Sequence, residues 1–163
     1  MIDDLKTSSE DLSLSERDQL YMREALSLAR IAKELDEVPV GAVIVAKGRI
    51  VGRGYNRRES GRDATLHAEM IAIREACAVM GGWRLPDATV YVTLEPCPMC
   101  AGAMVNARID RLVFGAYDPK SGAAGSVLNV ASCPGLNHRL EVTGGVLAAD
   151  AVILLKEFFT PKR

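Results

Sequence analysis

The chain predicts a layered α/β domain built around a mixed sheet, on three observations. Two β-branched runs, Val40 to Ala46 and Ile50 to Tyr55, are separated by Lys47-Gly48-Arg49, a hairpin signal. After the hairpin, segments with helical periodicity alternate with short apolar runs, the pattern of helices packed on a sheet. A chain of 163 residues, 48% hydrophobic and 25% charged, is long enough for one sizeable core and fits neither a linker nor a disordered tail.

In order, residues 1–14 are polar and acidic (Asp3, Asp4, Glu10, Asp11), lack periodicity, and read as a flexible leader to a single domain over 15–163. Ser15 followed by Asp18 resembles a capping pattern, and Tyr21, Ala25, Leu28, Ala29 and Ala32 then recur at helical spacing in a first helix that ends before Pro39. The hairpin leads into an arginine-rich polar loop from Asn56 to Leu66. His67 to Met80 is an amphipathic helix with Met70, Ile73, Cys77 and Met80 on one stripe, ended by Gly81-Gly82. Thr89 to Thr93 is a strand, Cys97 to Ala107 a third helix, and Leu112 to Ala116 another strand. Tyr117 to Leu136 is a Gly- and Ser-containing loop whose length suggests function. Glu141 to Thr143 is short and ambiguous, and Leu147 to Phe159 closes the fold with Val152, Leu155 and Phe159 on one helical face, before a basic end at Lys162 and Arg163.

The formal charge of −1 and a pI near 6.1 supply no global basic field, so a nucleic-acid partner has to be held by local patches. Without a basic n-region and apolar h-region, or an apolar run of membrane-spanning length, the expectation is a soluble, cytoplasmic protein with no membrane partner. In that setting four cysteines, two of them a CxxC pair, point to metal binding or redox work over a disulfide framework.

The stretch that carries chemistry runs from His67-Ala68-Glu69 to Pro96-Cys97-Pro98-Met99-Cys100. One imidazole and two thiolates make three ligands, which leave a tetrahedral zinc one open position, the catalytic arrangement; four protein ligands are the structural one. Cys97 and Cys100, three apart on a first helical turn, are neighbours, and Pro98 suits a position whose N–H has no partner. The partial positive charge of a helix N-terminus favours the thiolates a metal needs. His67 and Glu69 would point roughly 200° apart in a regular helix, so they work together only if His67 lies at the irregular start of its helix. Glu69 is then the natural base for an activated water. Taken singly, CxxC is as readily a redox pair or half of a structural zinc site, and HxE means little; together they are far more specific. Cys77 reads as a core thiol, Cys133 receives no ligand role, and His138 reads as a structural hydrogen-bonding residue. Arg57, Arg58 and Arg62 either supply local positive charge or are solvated loop charges.

HAE followed by PCPMC is the signature of zinc-dependent nucleobase deaminases. The chain resembles the cytidine and deoxycytidylate deaminase superfamily and, within it, the bacterial tRNA-specific adenosine deaminases. The narrower likeness rests on Val38-Pro39-Val40-Gly41-Ala42-Val43, Asn56-Arg57, Phe114-Gly115-Ala116 with Asp118, Gly122-Ala123-Ala124-Gly125-Ser126, Asn137-His138-Arg139 and Phe158-Phe159. The acidic leader and the short basic tail depart from that family's pattern.

The resemblance implies a three-layer cytidine-deaminase-like fold, a mixed central sheet with helices on both faces. It further implies one Zn²⁺ per subunit held by His67, Cys97 and Cys100, with Glu69 shuttling protons and Asn56 contacting the base. The loop with Asp118 and Lys120 and the aromatic pair Phe158 and Phe159 would face an anticodon stem-loop. The implied reaction is hydrolytic conversion of a wobble adenosine (position 34) to inosine, by a homodimer acting on a tRNA, with an arginine tRNA the expected one. A deaminase of guanine, cytosine or dCMP, and a zinc-stabilised non-catalytic binding module, remain open at this point.

Overall fold

The computed structural model describes residues 11–160; most of the acidic leader and the basic end at Lys162 and Arg163 lie outside the described residues. The first helix, α1 (Leu14–Glu34), starts one cap earlier than the sequence suggested. Ser13, not Ser15, is the N-cap, its hydroxyl accepting from the Glu16 amide at 3.2 Å, so the helix takes over the last residue assigned to the leader. Asp18 does not cap at all. It is buried, takes Arg111 through two guanidinium nitrogens at 2.7 Å each, and accepts the Tyr91 hydroxyl at 3.0 Å. A bidentate charged pair tying helix to sheet outweighs a local cap on a solvent-facing turn. At the other end Asp36 adopts φ 59, and the Asp36 and Glu37 amides donate to the Lys33 and Ala32 carbonyls, a Schellman-type stop that turns the chain into Val38.

The strands are β1 (Gly41–Ala46), β2 (Arg49–Tyr55), β3 (Ala88–Leu94), β4 (Arg111–Ala116) and β5 (Glu141–Thr143), in sheet order β2-β1-β3-β4-β5. β1 pairs antiparallel with β2 and β3, whereas β3, β4 and β5 run parallel, so the sheet is mixed as expected. The hairpin turn is two residues, not three: Lys47 and Gly48 carry φ 51 and 72 while Arg49 already pairs with Ala46. The remaining helices are α2 (Ala68–Met80), α3 (Pro98–Asn106) and α4 (Ala148–Phe159).

Strand alternation divides the core into two layers. Val43, Val45, Tyr91 and Val113 pack with Tyr21, Met22, Ala25 and Leu26 of α1 and with Ala151 and Leu154 of α4. Ala42, Ile44, Val90, Val92, Leu112 and Phe114 pack on the opposite face with α2 and α3. The molecule is therefore a three-layer α/β/α fold. Among the described residues no helix is long and apolar enough to cross a membrane.

Two helices differ in detail from their sequence stripes. In α2 the buried residues are Ala68, Glu69, Ala72, Ile73 and Ala76, while Met70, Cys77 and Met80 only flank the core. The reason lies on β2, where a Cβ at Gly52 would stand 2.2 Å from the Ala72 carbonyl oxygen and one at Gly54 2.2 Å from that of Ala68. Glycine opposite alanine lets helix and sheet approach more closely than larger side chains permit. Cys77 is accordingly only partly buried, although burial still pushes its thiol pKa up. In α4 the buried residues are Ala151 and Leu154, with Val152 and Leu155 beside them, and Phe159 faces outward at 46% exposure. The long loop after β4 is compact: Gly125 donates to the Leu128 carbonyl, Val127 to Gly122, and Val130 to Ala123.

Candidate active site

Two chain reversals bring the chemistry to one end of the sheet. β2 ends at Tyr55 and the following loop delivers His67 to the start of α2; β3 ends at Leu94 and delivers Cys97 to the start of α3. Both residues are N-caps with extended backbone, His67 at φ −74, ψ 154 and Cys97 at φ −73, ψ 172. His67 thus sits where helical geometry has not begun, the condition its cooperation with Glu69 required. Pro98 is the first residue of α3, and Cys100 comes round beside Cys97 within the first turn.

His67 Nδ1 lies 3.6 Å from Cys97 Sγ and 3.5 Å from Cys100 Sγ. With metal–nitrogen and metal–sulfur bonds of roughly 2.0 and 2.3 Å, a tetrahedral zinc sets each N···S edge at about 3.5 Å. The three donors are therefore spaced for that ion, and their hard–soft character suits it. Among the described residues they form the one histidine, cysteine and carboxylate group close enough to hold a metal.

The electrostatics agree. The Cys97 thiol is drawn down to about 4, first because Cys100 hydrogen-bonds to it and then because His67 faces it, against the cost of burial. The same bond, with burial, holds Cys100 protonated, and the bond to Cys97 raises the His67 imidazole. Cys97 is thus poised as a thiolate, while Cys100 holds a proton that a divalent cation displaces on binding. Glu69 is 3% exposed, and burial pushes its carboxyl above the ordinary glutamate value, the direction expected of a group that both takes and gives a proton.

His67, Glu69 and Cys97 line a cavity of about 120 Å³ whose apolar wall is Val38, Val40 and Leu94. It is smaller than the roughly 300–1,000 Å³ that enclose a drug-sized ligand, so it takes one ring system and leaves the remainder of a larger substrate outside. Asn56 enters it at 7% exposure, its Nδ2 donating to the Val38 carbonyl at 3.3 Å and its Oδ1 accepting from the Arg58 amide at 3.1 Å. A second N–H and a second lone pair remain for a ligand.

Asp118 also lines the cavity, with Ser121, but its carboxylate is engaged by its own loop, accepting from the Lys120 and Ser121 amides and the Ser121 hydroxyl. Lys120 is exposed and does not line the cavity. Phe158 and Phe159, packed edge to face with centroids 5.0 Å apart, border an adjoining groove of about 580 Å³ that shares Val38, Asn56 and Arg58 with the cavity. Of the three loop arginines only Arg58 reaches either space; Arg57 and Arg62 are exposed. His138 holds the Ile109 carbonyl at 2.7 Å, the structural role expected of it.

Sequence reasoning missed two buried carboxylates. Glu37, 1% exposed, accepts from the Glu59 and Ser60 amides at 2.9 and 2.7 Å; burial pushes its pKa up, but those amides outweigh burial and leave it lowered. Glu95, 2% exposed, binds the loop after β4, and there too burial is outweighed, by the Ser126 hydroxyl and the amides of Asp118, Ser126 and Ala124. The available signal was an acid set beside an apolar strand, where the chain turns toward the site.

Residues 15–116 match the family described as the cytidine and deoxycytidylate deaminase zinc-binding region. The chain is 49% identical over 147 residues to the tRNA-specific adenosine deaminase of Bacillus subtilis (strain 168), covering 90% of this chain and 91% of that one. A solved structure from studies of A-to-I editing by tRNA:A34 deaminases at the wobble position of transfer RNA superimposes with a TM-score of 0.80, at 47% identity, covering 83% of this chain and 98% of that one. The guanine deaminase of Nitrosomonas europaea superimposes at 0.73, with 26% identity over 87% of this chain and 84% of that one.

Proposed function

The chain belongs to the cytidine and deoxycytidylate deaminase zinc-binding family, and from that premise we propose that it deaminates adenosine in transfer RNA, converting the wobble adenosine (position 34) of an anticodon to inosine. The observation that carries the tRNA reading is the 49% identity along nearly the whole of both chains, against 26% to the guanine deaminase. The architecture agrees with it. The cavity takes a base and no more, while the groove beside Phe158 and Phe159 leaves room for the nucleotides that flank it.

One zinc per subunit, held by His67, Cys97 and Cys100, supplies the Lewis acidity that makes water a nucleophile near neutral pH. Glu69 accepts one proton of the water that attacks C6 and passes it to the ring nitrogen, then takes the proton of the new C6 hydroxyl and delivers it to the departing amine, so that the C–N bond breaks, the C6 carbonyl forms and the amine leaves as ammonia. Its burial serves this relay, since a carboxyl raised toward neutrality both takes and returns protons. Asn56 orients the base with the N–H and lone pair its own loop leaves free. Val38, Val40 and Leu94 close the cavity around the ring and keep bulk water from the reacting carbon.

The base has to leave its stack to enter, which costs least in a single-stranded loop. Outside the cavity, Arg58 meets a phosphate, Phe158 and Phe159 offer a stacking surface, and the loop with Asp118 and Lys120 borders the RNA. In this reading the substrate is an anticodon stem-loop of an arginine tRNA, the enzyme is a homodimer, and it works in the cytoplasm. The test compares initial rates on an anticodon stem-loop with an unpaired wobble adenosine against free adenosine, guanine and cytidine. Inosine in the stem-loop with little turnover of the small molecules is expected; rapid turnover of guanine or cytidine with none on the stem-loop makes the chain a small-molecule deaminase.

A further inference from the structure

Glu95 sits where the strand end that leads to Cys97 meets the wall of the cavity. It stands between β3 and Cys97, and it lines the cavity. Its Oε1 accepts from the Asp118 amide at 3.1 Å and from the Ser126 hydroxyl; its Oε2 accepts from the Ala124 and Ser126 amides at 3.1 Å each. A carboxylate offers about four lone-pair sites, so this one is saturated by a single loop. Gly122 lies directly on it, for a Cβ there would stand 2.4 Å from Glu95 Cδ and Oε2. Backbone bonds on either side, Glu95 N to the Ala116 carbonyl and Ala123 N to the Pro96 carbonyl, both 2.8 Å, complete the seam. The loop so held brings Asp118 and Ser121 to the cavity that Glu69 and Cys97 also line.

We propose that Glu95 is a positioning residue for substrate. It joins the loop 118–126 to the strand end that presents Cys97, so that the wall receiving the base keeps a fixed distance from the metal ligands. Glu95 does not touch the reacting atoms; it acts through Asp118 and Ser121. The proposal rests on the deaminase reading above and adds to it the residue that holds the pocket wall in register. Because that wall contacts bound substrate in ground state and transition state alike, its loosening is expected in KM and not in kcat.

The test is Glu95→Gln, which keeps the shape but turns an NH2 toward donors, with Ser126→Ala as a milder second variant that removes one bond. Zinc content, kcat and KM on the anticodon stem-loop, and amide hydrogen exchange are measured on zinc-loaded protein. Glu95→Gln is expected to keep one zinc per chain, to raise KM roughly tenfold or more with kcat within about threefold, and to speed exchange at Asp118, Ala124 and Ser126 while leaving Ala101 protected. Ser126→Ala is expected to move KM the same way by less. Unchanged KM in both variants, despite faster exchange in the loop, overturns the proposal and leaves Glu95 a purely structural residue. A fall in kcat with KM unchanged overturns it too. If Glu95→Gln fails to fold, the KM of Ser126→Ala decides. A wild-type enzyme that makes no inosine in the stem-loop refutes the substrate reading instead, and the variant-to-wild-type KM ratio is then read on whichever base or nucleoside the wild type deaminates.

Discussion

Gly54→Ala is expected to weaken the fold and the zinc site together, because it presses on the helix that carries His67 and Glu69. A Cβ at this position of β2 would lie 2.2 Å from the Ala68 carbonyl oxygen, 2.9 Å from the Ala72 nitrogen and 3.0 Å from the Ile71 Cβ. Two of these are backbone atoms that no rotamer change can clear, so α2 has to move outward by about 1 Å to restore van der Waals distance. Forcing extra atoms into a packed contact costs about 1–3 kcal/mol, and a backbone clash this close belongs at the upper end. For a chain of this size, about 3 kcal/mol lowers Tm by roughly 6–12 °C. The metal site senses the same shift, since ligand distances have to hold within about 0.2 Å, and the His67 to cysteine distances of 3.5 and 3.6 Å already match a tetrahedral zinc. Thermal melts with and without a chelator, together with a zinc competition assay, measure both effects. Gly82→Ala is the control, because nothing lies within 4 Å of a Cβ there, and it is expected to change stability by under about 0.5 kcal/mol. A Gly54→Ala protein that melts with the wild type and binds zinc as tightly would refute the close-packing argument.

Glu69→Ala is expected to keep about one zinc per chain and the fold while turnover falls by several orders of magnitude, since one carboxyl serves several proton transfers; substantial residual deamination would remove Glu69 from that role. Cys97→Ser or Cys100→Ser is expected to lose stoichiometric zinc by metal analysis and to melt earlier, as metal binding contributes to folding; full zinc retention in either variant contradicts a three-ligand site. Glu37 has a folded pKa below its ordinary value. Its contribution is therefore fully present above the unfolded glutamate pKa of about 4.3 and is lost as pH falls from there through the folded value. Denaturant titrations of wild type and Glu37→Gln should differ most near neutrality and converge in acid, and a constant gap down to acid pH would show that its charge is not what binds the Glu59 and Ser60 amides. RNA affinity is expected to fall steeply with salt through released counterions, whereas turnover of a neutral nucleoside would barely change.

The layered α/β class, the hairpin, all four helices, four of the five strands and the metal triad were legible in the chain, because each is written in local terms; β5 (Glu141–Thr143) is too short for its sequence to decide. Periodicity, a Lys47-Gly48 turn, a glycine stop at Gly81 and the HAE and PCPMC spacings depend on neighbours in sequence. Even the need for His67 to stand at a helix start followed from helical geometry alone. Asp18, Glu37 and Glu95 were not legible in this way. Their partners Arg111, Ser60 and Ser126 lie far along the chain, and a buried carboxylate is stable only where a fold assembles enough donors around it. Nor did the apolar stripes of α2 and α4 identify which residues are covered, since Gly52 and Gly54 on another element decide how near α2 can come. The sequence by itself determined the elements and the chemistry of the zinc ligands, since both are set by residue type and spacing. Only the tertiary structure decided which face of each helix is buried and which carboxylates clamp the loops around the cavity, since both depend on atoms that folding alone brings into contact.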